Sequence, residues 1–402
     1  LDSITPYVRS NDMKFFQHFL PGTPLEENNH KSIGIVFQRI SEYEDFNLVR
    51  GLQIDIAKAE LTETQKDTLT NSSAFNNATR PKGKHYDYEV DSIVYALFAG
   101  VEDYRLNEDL NFFADGRAEF IEYDYSNRMI SGNTREDGSK CGFGGCYYNR
   151  PSDRSDDFNE ISARFGVTTT FEELNYFAQI SLGFRPPQIN EAYRLQKKQN
   201  VTDLDSETLT MIEIGSRFDR DTVNGSVSLY KSKKKNSIFR DAENFIVDNG
   251  KTDHEGIELS LNWLISSNNT VSSNITYGNH RYDFETDTSM REKIRVGNKI
   301  DTSPKLMANL IWDLNLRNDS SISFEIEHMS SYYTDAANLH EYDGHTLYHA
   351  RFNKNLSTSL KGFVRVDNVF DKAYAERADF NAFGGDRYFP GLPREFYIGL
   401  EY

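Results

Sequence analysis

The connections between the predicted strands alternate in length along the whole chain, and this alternation restricts the fold more than any other feature. Segments with an apolar residue at every second position recur from Thr5–Arg9 to Arg394–Tyr402, a period that is typical of strands with one apolar and one polar face. About sixteen such segments can be counted, joined in turn by short and long connections. Outer-membrane barrels have short periplasmic turns and longer extracellular loops. The sequence therefore predicts an all-β fold, a transmembrane antiparallel up-and-down β-barrel.

The last segment sets the orientation of the predicted barrel. In Arg394–Tyr402, the apolar residues Phe396, Ile398, Leu400 and Tyr402 share one face of an extended chain. In a closed barrel this last strand would pair with the first. If Tyr402 lies at the periplasmic rim, every long connection is extracellular. These connections are Asn11–Lys31, Leu61–His85, Ser126–Asp157, Arg185–Glu207, Lys233–Asp253, Phe284–Ser303, Ser331–His345 and Phe370–Pro393.

Composition agrees with a barrel and argues against several other classes. The chain has 23 Tyr and 28 Phe, yet its mean hydropathy is −0.66, and no run approaches the roughly 18 apolar residues of a membrane helix. A formal net charge of −17 argues against a nucleic-acid partner, which requires a basic surface. The sequence contains no H-E-x-x-H and no G-x-S-x-G motif, so we expect no catalytic residue, no cofactor and no resident metal. A passive porin remains an alternative, as does a soluble secreted β-protein acting as a lectin or adhesin.

The two cysteines of the chain lie close together in one predicted extracellular connection. Cys141 and Cys146 flank the string G-F-G-G, whose glycines allow a turn tight enough to bring the sulfur atoms together. We expect a small disulfide, which requires an oxidising compartment. A pair of free thiols in a reduced protein is the alternative.

Several strings of the sequence resemble one family, the TonB-dependent outer-membrane receptors. The end of the chain carries the resemblance most specifically, with D-N-V-F-D-K-A-Y at Asp367–Tyr374 and R-Y-F-P-G-L-P-R-E-F-Y-I-G-L-E-Y at Arg387–Tyr402. The string G-F-R-P-P-Q-I-N-E-A-Y-R-L-Q at Gly183–Gln196 is similar to a mid-barrel signature of these receptors. Phe15–Asn28 and His254–Trp263 are also similar to receptor segments. The resemblance covers essentially the whole chain.

The resemblance implies a barrel of about 22 strands with a plugged lumen. We expect residues 1–402 to form a single domain, the C-terminal barrel portion of such a receptor, without its plug and without roughly six strands. The implied function is the import of a scarce nutrient, with a ferric siderophore or another metal chelate as the favoured cargo. The implied partners are TonB, acting through the absent plug and its box, the nutrient ligand, and the lipid and lipopolysaccharide of the outer membrane.

Two groups of loop residues are candidates for binding this ligand. The first group could line the extracellular mouth, although the tyrosines could instead belong to the interfacial aromatic girdle. The second group offers aromatic faces and a guanidinium to an anionic or catecholate chelate, although loop packing would explain the same residues. The first group is Tyr332, Tyr333, His340, Tyr342 and His345, and the second is Phe380, Phe383 and Arg387. The basic run Lys231–Lys235 could contact lipopolysaccharide phosphates, although a solvated face is the simpler interpretation.

Overall fold

The computed structural model describes residues 2–17, 22–197, 199, 203–240, 246–286, 293–381 and 384–402. In these ranges sixteen strands form one antiparallel sheet in which each strand pairs with the preceding and following strands of the sheet along the chain. This arrangement confirms the predicted all-β, up-and-down architecture. All sixteen predicted segments are strands of this sheet.

The strands in chain order are β1 (Asp2–Phe16), β2 (Leu25–Glu42), β3 (Asn47–Gln65), β4 (Gly83–Arg105), β5 (Leu110–Asn127), β6 (Tyr148–Asn149), β7 (Arg154–Phe171), β8 (Leu174–Arg185), β9 (Leu195–Gln196), β10 (Glu207–Arg220), β11 (Val223–Arg240), β12 (Ile246–Ser266), β13 (Asn269–Tyr282), β14 (Leu306–Leu316), β15 (Ser320–Met329), β16 (Tyr332–Tyr333), β17 (Glu341–Tyr342), β18 (His345–Asn355), β19 (Lys361–Asp367), β20 (Ala375–Asn381), β21 (Gly385–Pro390) and β22 (Glu395–Glu401). The helices are α1 (Ala74–Thr79) and α2 (Ile189–Tyr193). Among the described residues, the short strands form the ribbons β6–β9, β16–β17 and β20–β21. Neither of these helices is long and apolar enough to cross a membrane.

The two faces of the sheet differ in chemistry as the alternation predicts. Large apolar side chains on one face are exposed, such as Ile161 at 64% and Ile398 at 84%. The other face carries charges such as Arg117, whose guanidinium pairs with Glu119. A surface that is apolar outside and wet inside is the arrangement of an outer-membrane barrel wall.

The sheet extends further on the extracellular side than the sequence pattern indicates. β3 and β4 remain paired up to Gln65 and Gly83, inside the predicted connection Leu61–His85. β11 and β12 likewise remain paired beyond Lys234 and Thr252. These extensions stand above the apolar band, where neither face meets lipid, so the period-2 signal is lost although backbone pairing continues. Apolar side chains there, such as Leu61 and Val247, are buried among the extracellular segments instead. The predicted loops are therefore partly β-ribbons.

The sheet is not closed in the described residues. β1 pairs only with β2, and β22 pairs only with β19, so the pairing of last strand with first strand is not observed. At the opposite end from the ribbons, the short turn after β2 is closed by a hydrogen bond from the Tyr43 amide to the Phe46 carbonyl, 2.9 Å. The rings of these two residues stack with centroids 4.6 Å apart, as expected for an aromatic girdle at the periplasmic rim.

A packed extracellular layer covers the ends of β3, β4 and β5. Its largest cluster contains the buried Tyr88 and Tyr125 together with Cys141 and Cys146, which are joined in a disulfide with Cα atoms 5.0 Å apart. Arg150 lies inside this layer and is 2% exposed. Its guanidinium donates to the carbonyl oxygens of Ile130, His85 and Thr134 at 2.8, 2.9 and 2.7 Å. A buried charge is tolerated only when such partners satisfy it, so Arg150 ties its own segment to β4 and to the loop at residues 130–134.

Candidate ligand site at the extracellular mouth

A cavity of about 500 Å³ lies between the extracellular ends of β11, β12 and β13 and the β20–β21 hairpin. Its volume is within the range of small-molecule sites. Three cationic residues, Lys234, Arg377 and Arg387, contribute to the lining. Three aromatic residues, Phe239, Tyr282 and Phe380, contribute as well. The wall therefore offers both positive charge and flat apolar surface to a ligand.

The two arginines of the cavity share a single carboxylate. Asp379 is 6% exposed and accepts from Arg387 Nε at 2.6 Å and from Arg377 Nη2 at 2.8 Å. Lys234 lies 2.8 Å from Glu207, which is itself buried. Because two guanidinium groups face one carboxylate, the hairpin residues that line the cavity carry one excess positive charge. An anionic ligand would be attracted to it.

Thr334 presents a buried hydroxyl at the cavity wall. The residue is 4% exposed, and its Oγ1 atom has no hydrogen-bond partner in the described part of the chain. Both backbone polar groups of Thr334 are hydrogen-bonded. The amide donates to the His340 carbonyl at 2.9 Å, and the carbonyl accepts from the Phe380 amide at 3.0 Å. An unpaired buried hydroxyl costs free energy, so Thr334 is well placed to hydrogen-bond a ligand.

Asp301 is the second carboxylate of the cavity. It accepts a hydrogen bond from the Tyr282 hydroxyl at 2.6 Å. Burial raises the pKa of this carboxyl, and the nearby carboxylates of Asp335 and Asp379 act in the same direction. The wall near Asp301 therefore carries less negative charge than a simple residue count suggests.

The predicted aromatic residues lie together, but they have different roles. Phe380 lines the cavity, and His340 stacks on its ring at a centroid distance of 4.0 Å. His340 Nδ1 also lies 3.3 Å from Asp386 in the same hairpin. His340 therefore supports Phe380 from behind. Phe383 lies outside the described residues.

The predicted tyrosines mainly hold the hairpin in place. The Tyr332 hydroxyl accepts from the Ala378 amide at 2.8 Å. The Tyr342 hydroxyl accepts from the Ala375 amide at 3.0 Å and lies 2.9 Å from His345 Nδ1. Tyr333 lies beside them, with Lys299 Nζ 5.5 Å from its ring centroid. None of these four predicted residues lines the cavity, so a direct role for them in binding stays a prediction.

Several residues of the cavity were missed by the sequence analysis. These residues lie in four different predicted connections and at one strand end, and they are Lys234, Phe239, Tyr282, Asp301, Thr334 and Arg377. Each has an ordinary local sequence context, and they meet only because the loops fold onto one another. The basic run around Lys231 is part of β11, where Lys233 pairs with Asp253 at 3.2 Å. Within the described ranges, no group of three or more His, Cys, Asp or Glu residues is arranged to hold a metal ion.

The fold and its polar-lined mouth define the wall of an outer-membrane receptor barrel. The family model described as "TonB dependent receptor-like, beta-barrel" matches residues 7–369. The chain therefore belongs to the TonB-dependent receptor family, which confirms the resemblance noted in the sequence. Members of this family are outer-membrane receptors and transporters and not enzymes. The family match favours a receptor over the passive porin and over the soluble secreted β-protein.

Solved structures of similar fold agree with this assignment. The unliganded ferric citrate transporter FecA is 18% identical with a TM-score of 0.75, and the match covers 100% of this chain and 58% of that one. The copper transporter OprC is 13% identical with a TM-score of 0.77, covering 100% and 62%. The ferric yersiniabactin uptake receptor FyuA from Yersinia pestis is 12% identical with a TM-score of 0.70, covering 99% and 58%. No curated protein sequence matches the chain.

Proposed function

We propose that this chain forms the barrel wall of an outer-membrane importer whose cargo is a ferric siderophore or another anionic metal chelate. The ligand would bind in the cavity below the β20–β21 hairpin. Transport would be driven by TonB acting on a plug domain, as in the family as a whole. The chain spans about 58–62% of the length of the similar transporters named above, so plug, TonB and cargo all belong to this proposal.

The arrangement of Arg377, Arg387 and Thr334 around one cavity carries the proposal. The guanidinium groups share the single carboxylate of Asp379, so one positive charge is left for a ligand. A charge-assisted hydrogen bond from an arginine to an anionic ligand is roughly twice as strong as a hydrogen bond between neutral groups. Phe380 offers a ring face on which a planar ligand group can stack. An oxygen-rich chelate with a flat or carboxylate-bearing group fits this lining.

Binding of a chelate panel to the intact protein in detergent tests this proposal. The panel would contain a ferric hydroxycarboxylate, a ferric catecholate, a ferric hydroxamate and cobalamin. The expected result is that one ferric chelate binds, and that replacing both Arg377 and Arg387 by alanine weakens binding at least about tenfold, as loss of a charged hydrogen bond does. Arg220→Ala is the matched control because Arg220 lies at the periplasmic turn beside Glu173. Equal binding by the double variant would reject the cavity as the ligand site.

The outer-membrane lipids are the second class of proposed partner. On the lipid-facing side of β11, Lys231 and Lys233 stand above the apolar residue Leu229, which is 45% exposed. Both lysines lie near carboxylates of β12, at 3.8 Å for Glu255 and 3.2 Å for Asp253. These pairs compete with lipopolysaccharide phosphates, so a contribution of the basic run to lipid binding would be modest.

A further inference from the structure

Two histidines face each other on the lumenal side of the sheet, just below the cavity. His254 of β12 and His280 of β13 are direct partners in the antiparallel register. Their Nδ1 atoms are 2.9 Å apart. Ile257 and Tyr277, which lie on the opposite face of the same strands, are exposed at 44% and 43% toward the lipid side. The imidazole rings therefore point into the barrel.

This histidine pair lies where two cavities meet. His254 lines the cavity of about 500 Å³ described above. His254 and His280 together line a second cavity of about 510 Å³, which also contains Met211, Glu213 and Glu258. A solute that moves inward from the mouth along this side of the wall would pass the two rings.

We propose that the His254–His280 pair binds a divalent transition-metal ion, with Cu(II) as the preferred ion. Imidazole nitrogens suit Cu, Ni and Zn, whereas Mg and Ca prefer oxygen ligands. Two nitrogens that each lie about 2.0–2.1 Å from one metal are about 2.9 Å apart when the angle at the metal is 90°. That angle is the one between neighbouring ligands in the square-planar geometry of Cu(II). The separation of the two Nδ1 atoms therefore matches two adjacent positions around a copper ion.

The hydrogen bonds around the pair support this role. At 2.9 Å, one Nδ1 atom donates and the other accepts, so at least one lone pair already points into the gap. His254 Nε2 lies 2.8 Å from Thr252 Oγ1. The hydroxyl can accept from Nε2–H in the tautomer that leaves Nδ1 free for a metal, and an outer contact of this kind orients a ligating histidine. When the ion binds, both rings take this tautomer, and no net proton is released from two neutral imidazoles.

The site offers two fixed protein ligands and leaves the other positions open. Water can complete the coordination, and the Met211 thioether faces the same cavity. A site with so few fixed ligands exchanges its ion readily, unlike a closed structural site with four protein ligands. Exchange is what a position along an uptake route requires.

Titration of the intact protein in detergent with Cu²⁺ alone tests the inference. We expect one equivalent of Cu²⁺ to bind, with nitrogen hyperfine coupling in the electron paramagnetic resonance spectrum. His254→Ala and His280→Ala should each weaken binding by about tenfold or more and reduce the coupling from two nitrogens to one. His328→Ala is the matched control, because His328 lies on the lipid-facing side of β15 and contacts Thr346 at 2.8 Å.

Two further measurements keep the test decisive. Heat-modifiable gel migration verifies that each variant forms the barrel, and His254→Asn replaces the alanine variant if that one does not fold. Wild-type copper affinity in both histidine variants, or the absence of a stoichiometric copper site, would overturn the inference. Because the probe is the bare ion, this result is independent of the proposed import of a chelate. Loss of chelate binding with an intact copper site would count against the proposed function alone.

Discussion

Asp379 and Arg387 lie opposite each other in the β20–β21 hairpin, and Asp379 Oδ1 is 2.6 Å from Arg387 Nε. Arg377 binds the other carboxylate oxygen from the same strand as Asp379. The buried carboxylate thus fixes both guanidinium groups at the cavity before any ligand arrives. Preorganisation of this kind lowers the entropic cost of binding.

Replacing Asp379 by asparagine should loosen the hairpin. The change removes a charged acceptor from two guanidinium groups and should cost about 1 kcal/mol locally, since the arginines are half exposed and screened by water. We expect faster hydrogen exchange in β20 and β21 with little change in barrel unfolding. Asp386→Asn is the control, because Asp386 is exposed and its carboxylate lies 3.3 Å from His340 Nδ1 rather than on the two arginines. Unchanged exchange in Asp379→Asn would show that the carboxylate does not hold the hairpin.

Replacing Tyr342 by phenylalanine should detach the same hairpin from its support. The lost hydroxyl accepts from the Ala375 amide at 3.0 Å and donates to the Ala375 carbonyl at 3.3 Å. Leaving buried backbone groups unpaired costs about 1–3 kcal/mol. Limited proteolysis should cut the 375–390 region sooner. Tyr348→Phe is a suitable comparison, because Tyr348 lies on the lipid side and is 40% exposed. Equal cleavage of both variants would argue against a supporting role for Tyr342.

Asp301→Asn should change how local stability depends on pH. Burial raises the pKa of Asp301 in the folded protein, so its stabilising contribution is complete below the unfolded pKa of about 3.9 and is lost as pH rises through the folded value. Asparagine still accepts from Tyr282 but does not ionise. The variant should therefore match the wild type at pH 4 and exceed it at pH 8 in hydrogen-exchange protection of the amides around Tyr282 and around Asp301. A constant difference at both pH values would contradict this assignment.

The disulfide between Cys141 and Cys146 can be examined by peptide mapping without reductant. We expect a linked peptide and no thiol that can be alkylated, since the sulfur atoms are bonded in the extracellular layer. Serine at both positions should cost about 2 kcal/mol for so short a loop, with the loss confined to proteolytic resistance of residues 126–153. Two alkylatable thiols in the native protein would disprove the bond.

The orientation of the wall can be tested with a pair of arginine substitutions. Ile161 faces lipid near the middle of β7 and is 64% exposed, so Ile161→Arg should destabilise the barrel by about 2–4 kcal/mol. Glu160→Arg should have little effect, because Glu160 faces the lumen opposite Glu119. Urea unfolding from lipid vesicles measures both. If Glu160→Arg destabilised the barrel more than Ile161→Arg, then Glu160 would face lipid and Ile161 would face the lumen.

Much of the fold could be predicted because the signal for a barrel strand is local. Residues such as Phe396 and Ile398 reveal their face through neighbours two positions away, and β22 follows that pattern. The extensions of β3, β4, β11 and β12 could not be predicted in this way, because above the membrane neither face meets lipid and the alternation ends. Backbone pairing maintains them together with side chains such as Leu61, Tyr86 and Phe239, which pack in the extracellular clusters.

The candidate site was predictable only in part. Phe380 and Arg387 stand out in the sequence as an aromatic and a cation in a glycine-containing loop, and both line the cavity. His254 and His280 could have been paired from the sequence, since the hairpin turn at S-S-N-N places them opposite each other. No comparable signal marked Thr334, whose position depends on a hydrogen bond to a residue 46 positions away, the Phe380 amide.

Strand number, the lipid-facing side and the sorting of loops all followed from the order of residues, because each depends on neighbours within one strand or one hairpin. The composition of the cavity came from the packing of distant segments. Lys234, Asp301, Thr334 and Arg387 share one cavity because separate loops close over the same end of the sheet. The free energy that holds them there arises from contacts between segments far apart in the chain, such as the hydrogen bonds of the Tyr332 hydroxyl with the backbone of Ala378. The local sequence pattern does not predict such contacts.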